Sequence, residues 1–321
     1  MARKRSAVKR IGVLCSGGDC SGMNPCVRAV VRAALYHTIE PWAVFGGYQG
    51  LIEGDLRPFT SRDVAGIANR GGTVIGTARS QEFRTKTGRK KAIAALAARE
   101  IGGLVVIGGD GSFHGAEALH TESDLRVVGL PGTIDNDLYG TDFTIGYDTA
   151  VNVALDAIDK IRDTAASHGR VFFVEVMGRH AGYIALETGI AAGAEDVLIP
   201  ETPTDIDALA EKLVEGRKAG KASSIVVVAE GDEAGGAFDI AKKVGERADL
   251  PTRVSVLGHM QRGGAPTAAD RLLASRLGVE AVRRLRKGES GCMVGIVSNK
   301  LETHPLKTSW TRKKKVTKEL L

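Results

Sequence analysis

Aliphatic runs of strand length recur along the chain at Ile11–Cys15, Ala43–Phe45, Leu104–Ile107, Val127–Leu130, Val171–Val176, Ile225–Ala229, Val254–Leu257 and Met293–Val297. Most are apolar at successive positions, the pattern of strands buried on both faces of a parallel sheet. Between them, alanine-rich segments with helical spacing predict helices at Lys90–Arg99, Thr149–Asp163, Asp205–Lys218 and Ala268–Arg286. Another helix follows the first run, with Asn24 as its cap and Pro25 at its first position, where a missing N–H is harmless. Regular alternation of this kind predicts an α/β fold of parallel sheets packed between helices. No Ser/Pro linker, low-complexity segment or internal repeat interrupts it.

Polar strings stand directly after two of the buried-type runs. Gly108-Gly109-Asp110-Gly111-Ser112 follows Leu104–Ile107, and its glycines let backbone N–H groups approach phosphate oxygens beside a helix expected to begin near Ser112. A carboxylate beside a polyphosphate is repelled unless a cation lies between them, so Asp110 is read as a Mg2+ ligand. An ordinary strand-to-helix turn uses the same residue types. Pro131-Gly132-Thr133-Ile134-Asp135-Asn136-Asp137 follows Val127–Leu130 and emerges at a strand's C-terminal end, where open α/β sheets bind ligands. If extended, it projects Thr133, Asp135 and Asp137 to one side. Phosphorylation of an alcohol needs a base near the hydroxyl and cations near the phosphate, so the two strings point to phosphoryl transfer.

A chain of 321 residues, 43% of them hydrophobic, can bury large cores and suggests two domains. Its apolar runs are too short to span a bilayer, and no signal-peptide apolar region precedes Ser16, which leads to the expectation of a cytoplasmic protein without membrane contact. Cys15, Cys20, Cys26 and Cys292 lack CxxC or zinc-site spacing and are expected as reduced thiols. The net charge of +6 owes much to Arg3-Lys4-Arg5 and Arg312-Lys313-Lys314-Lys315, expected as solvated tails. No base-reading or stacking motif accompanies them, so no nucleic-acid partner is expected.

Taken in order, the motifs resemble those of the 6-phosphofructokinase family: Ser16-Gly17-Gly18-Asp19, Asn69-Arg70-Gly71-Gly72-Thr73, GGDGS, PGTIDND, Ser167-His168-Gly169-Arg170, Glu175-Val176-Met177-Gly178-Arg179 and Gly258-His259-Met260-Gln261-Arg262-Gly263-Gly264. The resemblance implies two doubly wound, Rossmann-like three-layer α/β/α domains. Residues 1–147 with 261–311 would bind nucleotide, and 148–260 with 312–321 would bind sugar phosphate. By the same resemblance, Asp135 is the general base toward the C1 hydroxyl of fructose 6-phosphate, with Thr133 in its loop, and Arg179 neutralises the moving phosphoryl group. Asp110 holds Mg2+, while Gly17, Arg79, Ser80, Gly109, Asp110, Gly111 and Ser112 contact ATP. The sugar phosphate is expected on Thr133, Asp135, Met177, Gly178, Arg179, Glu230, His259 and Arg262. Arg170 and Arg253 join them from a neighbouring subunit, implying a homotetramer with shared active sites. Surface ion pairing is the ordinary role of such arginines.

Within the family, pyrophosphate users carry an acidic residue at position 111 and a lysine at 132, expected to reach into the phosphate site; both are glycine here, which implies ATP as donor. Segments such as Asp148–Asn152 and Gly178–Gly182 resemble the subclass rich in pyrophosphate users, so pyrophosphate-dependent transfer is the alternative. A non-catalytic ligand-binding homologue would be at liberty to lose the carboxylates that this chain keeps. Arg28, Arg32, Arg162, Glu195 and Lys221 match the family's effector pocket, but Asp55, Ala219 and Ser223 depart from it, so the implied control by ADP or phosphoenolpyruvate is only partly supported.

Overall fold

The computed structural model describes residues 8–317, leaving the Arg3-Lys4-Arg5 run outside the described residues. From the N-terminus the elements are β1 (Arg10–Cys15), α1 (Met23–Tyr36), β2 (Glu40–Val44), α2 (Gly47–Glu53), β3 (Leu56–Pro58), α3 (Lys86–Ala97), β4 (Gly103–Gly108), α4 (Asp110–Glu122) and β5 (Arg126–Pro131). Then come α5 (Tyr147–His168), β6 (Val171–Val176), α6 (Tyr183–Ala192), β7 (Asp196–Leu198), α7 (Ile206–Lys218), β8 (Ser224–Ala229), α8 (Ala237–Ala248) and β9 (Thr252–Val256). The chain closes with α9 (Ala268–Lys287), β10 (Cys292–Val297), β11 (Lys300–Pro305) and α10 (Thr308–Thr311).

Two compact units divide these elements. Unit 1 takes the described residues up to Thr133, then Leu138–Asp148 and Gly264–Lys314. Its seven-stranded sheet has the order β11-β10-β5-β4-β1-β2-β3, parallel from β10 through β2 and closed at each edge by an antiparallel strand. β4 and β5 are buried at every residue, as continuous apolar runs require. Leu14, Leu104, Val106, Phe113 and Val127 form the centre of its core.

Unit 2 takes Ile134–Asp137, Thr149–Gly263 and the described residues after Lys314. Its four strands lie in the order β7-β8-β6-β9, all parallel, with Phe173, Val226, Val228, Leu213 and Val244 in the core. Polar caps set helix starts: the Asp205 carboxylate accepts the N–H groups of Asp207 and Ala208 at the head of α7, each at 3.0 Å. Thr267 Oγ1 does the same for Asp270 at the head of α9, at 3.3 Å.

Several expectations change. The cap of α1 is Gly22, not Asn24, and Pro25 sits inside the first turn, where its lack of an N–H is still harmless. The Asn24 amide instead donates to the carbonyls of Arg70 and Gly71 at 3.0 Å each and accepts the Val74 N–H at 2.7 Å, clamping the Asn69–Thr73 loop. The C-terminal basic run, expected as a solvated tail, is exposed at Arg312, Lys313 and Lys315 but anchored. Arg312 donates to the Tyr139 hydroxyl at 3.1 Å, Lys314 donates to the Asp142 carbonyl at 2.6 Å, and Lys313 forms a bridge with Leu138. β3, β7 and β11 escape the hydrophobic pattern because they are short or half-exposed edge strands. All four cysteines are free thiols, and no helix among the described residues is long and apolar enough to cross a membrane.

α1 and α9 pack so closely that a Cβ on Gly278 would lie 2.7 Å from Ala29 Cβ and 3.1 Å from the Cys26 carbonyl oxygen. Gly278→Val therefore destabilises unit 1 by about 2 kcal/mol through overpacking, seen as a lower midpoint in chemical denaturation.

Candidate functional site

In unit 1, parallel pairing puts the C-terminal ends of β1, β4 and β5 side by side, and each end runs into one of the polar strings. Backbone bonds continue the register past the strands: Ser16 N–H reaches the Ile107 carbonyl at 2.9 Å, and Gly132 N–H reaches that of Gly108 at 3.0 Å. α4 begins at Asp110, with Gly109 as its cap, rather than near Ser112. Asp110 thus sits in the first helical turn, where a negative charge is favoured, and its carboxylate accepts the Gly111 N–H at 2.6 Å. Ser112 is buried and its hydroxyl donates to the Ser16 carbonyl at 3.0 Å, while the Tyr48 hydroxyl donates to the Ser112 carbonyl at 2.7 Å. Its side chain ties the cradle to the loop after β1, a structural duty that the motif did not reveal.

The other unit 1 residues fall on the loops around this edge. Thr77 donates to the Gly17 carbonyl at 2.9 Å, and a Cβ on Gly17 would lie 3.4 Å from Ser112 Oγ. The Ser80 hydroxyl donates to Gln49 at 2.6 Å and accepts the Phe83 N–H at 3.1 Å, so Ser80 anchors the turn that carries exposed Arg79. Gly109 faces Thr133, whose carbonyl accepts the Thr144 hydroxyl at 2.6 Å. A Cβ on Gly111 would meet nothing within 4 Å, whereas one on Gly132 would lie 2.9 Å from Ile107 Cγ2 and 3.3 Å from Gly108 N. Position 111 therefore opens to solvent, while position 132 faces the strand interior. A side chain at 132 would first have to shift the Ile107 methyl.

In unit 2 the ends of β6, β8 and β9 are likewise neighbours and carry the remaining motifs. Met177–Arg179 follows β6, Glu230 follows β8, and Gly258–Arg262 forms a short 3-10 helix after β9. Arg179 has φ +57°, a left-handed conformation uncommon for a residue other than glycine, and it is held there by contacts to its backbone. One oxygen of Glu230 accepts the N–H of Arg179 at 2.8 Å and of Gly178 at 3.3 Å, and a Cβ on Gly231 would lie 1.8 Å from the Arg179 carbonyl oxygen. Gln261, 1% exposed, accepts the Met177 N–H at 2.8 Å and locks the third end to the first. By resemblance Glu230 is expected on the sugar, and the sequence marks no role for Gln261. The signal available for Gln261 was an amide inside a dense motif.

Arg170 and Arg253 do not join this cluster. Arg170 precedes β6 and Arg253 pairs with Phe172 near its start, so both lie at the N-terminal end of the strands, roughly 20 Å from Met177 at about 3.3 Å per residue. His259 and Arg262 remain on the C-terminal edge, His259 exposed and Arg262 half-buried. Arg162 donates to the Ala192 carbonyl at 2.6 Å and Lys221 lies 3.6 Å from Glu195, so these effector-type residues are engaged within unit 2.

Residues 134–137 leave unit 1 for unit 2 and return. They are not an extended row. Asn136 adopts φ +52°, which breaks the alternation that would have aligned Thr133, Asp135 and Asp137. Asp135 is buried at 3% exposure while Asp137 is half-buried. Burial and the neighbouring Asp137 push the Asp135 carboxyl up to about 6; Arg262 and Arg179 pull it down, and Glu230 adds to the rise.

A family model described as Phosphofructokinase matches residues 10–285. The chain belongs to the phosphofructokinase family. A Thermus thermophilus protein named ATP-dependent 6-phosphofructokinase 1 is 57% identical over 98% of each chain. The Bacillus subtilis ATP-dependent 6-phosphofructokinase is 56% identical over 93% of each. Among solved structures, a Saccharomyces cerevisiae phosphofructokinase matches with TM-score 0.90 and 40% identity over 94% of this chain and 45% of that one, so this chain spans under half of the yeast subunit. A pyrophosphate-dependent phosphofructokinase from Marinobacter aquaeolei, 24% identical with TM-score 0.84 over 97% of this chain and 86% of that one, shares the fold.

As a member of this family, the chain has in Asp135 a carboxylate whose ionisation reports on its neighbours. Its carboxyl carbon should titrate near pH 6 by NMR. In Asp137→Asn the midpoint moves lower, because removing a negative neighbour favours the ionised form. An unmoved midpoint would remove Asp137 from the causes.

Proposed function

We propose that the chain transfers the γ-phosphate of ATP, taken as its Mg2+ complex, to the C1 hydroxyl of fructose 6-phosphate, giving fructose 1,6-bisphosphate and ADP in the cytoplasm. The observation that carries the reading is Asp135, a buried carboxylate raised to about 6 that faces Arg179 and Arg262 as well as Asp137. A base poised near neutral pH is ionised when the hydroxyl arrives and basic enough to accept its proton as the C1 oxygen attacks. Below pH 6 the group fills with its proton and the rate falls. Arg179 and Arg262 offset the negative charge gathered there, and their fixed guanidinium planes suit phosphoryl oxygens.

The donor belongs on the unit 1 cradle, with Gly17, Arg79, Ser80 and Gly109–Ser112 around its phosphates. The donor set fits Mg2+, since one carboxylate, Asp110, stands at the start of α4 beside an open glycine. Mg2+ is commonly held by one or two carboxylates together with substrate phosphates, and when bound it neutralises charge on the phosphate oxygens. Thr133 positions the loop, and Met177, Gly178, Glu230 and His259 complete the sugar side. ATP use is supported by the named relatives and by the open space at Gly111.

Arg170 and Arg253 contribute to the sugar phosphate of a neighbouring copy, in a homotetramer. Their position at the far strand ends supports this, since they cannot serve the C-terminal edge of their own sheet.

One set of assays tests base and donor together. Asp135→Asn loses a factor of ~10^2 to 10^4 in kcat with fructose 6-phosphate affinity near that of the parent. Gly111→Asp loses ATP efficiency by charge repulsion without a packing cost, since the position is open. The parent prefers Mg-ATP to Mg-pyrophosphate at matched Mg2+; the reverse preference, or an Asp135→Asn enzyme within a few-fold of the parent, would sink the reading.

Mixing tests the shared site. Inactive Asp135→Asn and inactive Arg170→Ala chains, refolded together, recover part of the parent activity because some hybrid sites are intact. A fully active monomer by sedimentation would contradict it.

A further inference from the structure

The edge of unit 1 at the start of β1, away from the glycine cradle, holds a cavity of about 860 Å³ lined by Lys9, His37, Glu280, Arg283, Arg286 and Lys287. Three segments supply it: the two residues before β1, the residues just past the end of α1 and the last two turns of α9. Glu280 is the sole carboxylate of the lining, and it is already engaged, with Arg284 at 2.6 Å and Arg283 at 3.5 Å. Among the described residues Lys9, Arg286 and Lys287 make no ion pair with any carboxylate. Cations in a last turn offset the helix dipole, but each helix C-terminus supplies only about half a negative charge. That leaves an excess of positive charge around a concave volume within the range of small-molecule sites.

We propose that this cavity binds a small polyanion, a metabolite or nucleotide bearing two or more phosphate groups, on Lys9, Arg283, Arg286 and Lys287. Guanidinium forks donate to phosphate oxygens in pairs and lysines add point charges, so the residue types favour phosphate. The cavity is far larger than a single phosphate needs, which favours a chain or pair of phosphates.

His37 makes the site distinguishable from a plain basic surface. Arg286 lies 3.2 Å from His37 Nε2, and a guanidinium can only donate, so this nitrogen accepts and the ring is neutral. Burial, then Arg286 and Arg283, hold its pKa below the usual histidine value. The groups facing the ring are Lys9 from the start of β1, Glu280, Arg283, Arg286 and Lys287 from α9, and the Tyr36 ring, 4.9 Å away. An anion that draws Arg286 away and offsets the arginine charge releases Nε2 to take a proton. Binding is therefore coupled to proton uptake and tightens as pH falls.

Equilibrium dialysis of the full chain with radiolabelled tripolyphosphate, repeated with ATP, tests the assignment. The parent shows a class of sites that weakens at least tenfold in Arg283→Ala/Arg286→Ala, with kcat unchanged. Arg62→Ala/Lys242→Ala, which removes two exposed charges elsewhere, keeps the parent isotherm. Lys9→Ala/Lys287→Ala gives the same loss without disturbing the Glu280 pairs, which guards against misfolding of the first variant. From pH 8 to pH 6 the affinity of this class rises several-fold in the parent and much less in His37→Gln. Equal affinity for the two probes identifies the phosphate chain as the recognised group, and tighter ATP binding adds a contact to the nucleoside. Superimposable isotherms, an equal loss in the control variant, or binding of ATP alone would overturn the proposal.

Discussion

A parallel strand buried on both faces has nowhere to put a polar side chain except at its ends, and the rest of this molecule follows from that. β4, β5 and β8 are buried at every residue, so a carboxylate or cation at mid-strand would be desolvated; buried Arg126 stands at the first residue of β5, where it donates to the Leu285 carbonyl at 3.3 Å. Parallel pairing then does what the linear chain cannot. It aligns the C-terminal ends of strands far apart in sequence, so SGGD, GGDGS and PGT share one edge in unit 1. MGR, Glu230 and GHMQR share another in unit 2. The chemistry is a product of register before it is a product of any single motif.

Asp135 shows how finely that placement sets reactivity. Were it as exposed as an average surface aspartate, it would be ionised at neutral pH but weakly basic. Burial and Asp137 raise it to about 6, and the two arginines keep it from rising further. The backbone on either side of that balance is unusual: Asn136 and Arg179 both occupy left-handed conformations. The second is held by a carboxylate oxygen of Glu230 on its N–H. Glu230 therefore acts on charge near Asp135 and on the shape of the loop that presents Arg179.

The failures of sequence reasoning were local. An extended reading of Thr133–Asp137 assumed period-two alternation, and a single positive φ at Asn136 cancels it. Asn24 has the composition of a helix cap, yet its amide is drawn to three backbone groups of the loop after residue 69. Lys313 and Lys314 look like a solvated tail because charge patterning registers neither the backbone bridge of the first nor the ammonium-to-carbonyl bond of the second. Gln261 and Ser112 carry buried hydrogen bonds whose partners lie 84 and 96 residues away, separations that no local rule spans.

From the amino acids alone came the α/β alternation, the centres of the principal strands and helices, and the motifs of phosphoryl transfer. Those properties are written in local hydrophobic periodicity and in residue chemistry, which do not depend on distant contacts. Tertiary structure decided the rest: which strand ends become neighbours, which of Asp135 and Asp137 is buried, and which end of the sheet Arg170 and Arg253 occupy. It also gathered Lys9, His37, Arg283 and Arg286 around a cavity that no spacing in the chain announces. Electrostatic shifts and packing are set by what lies within a few ångströms in space, and only the folded register brings those groups together.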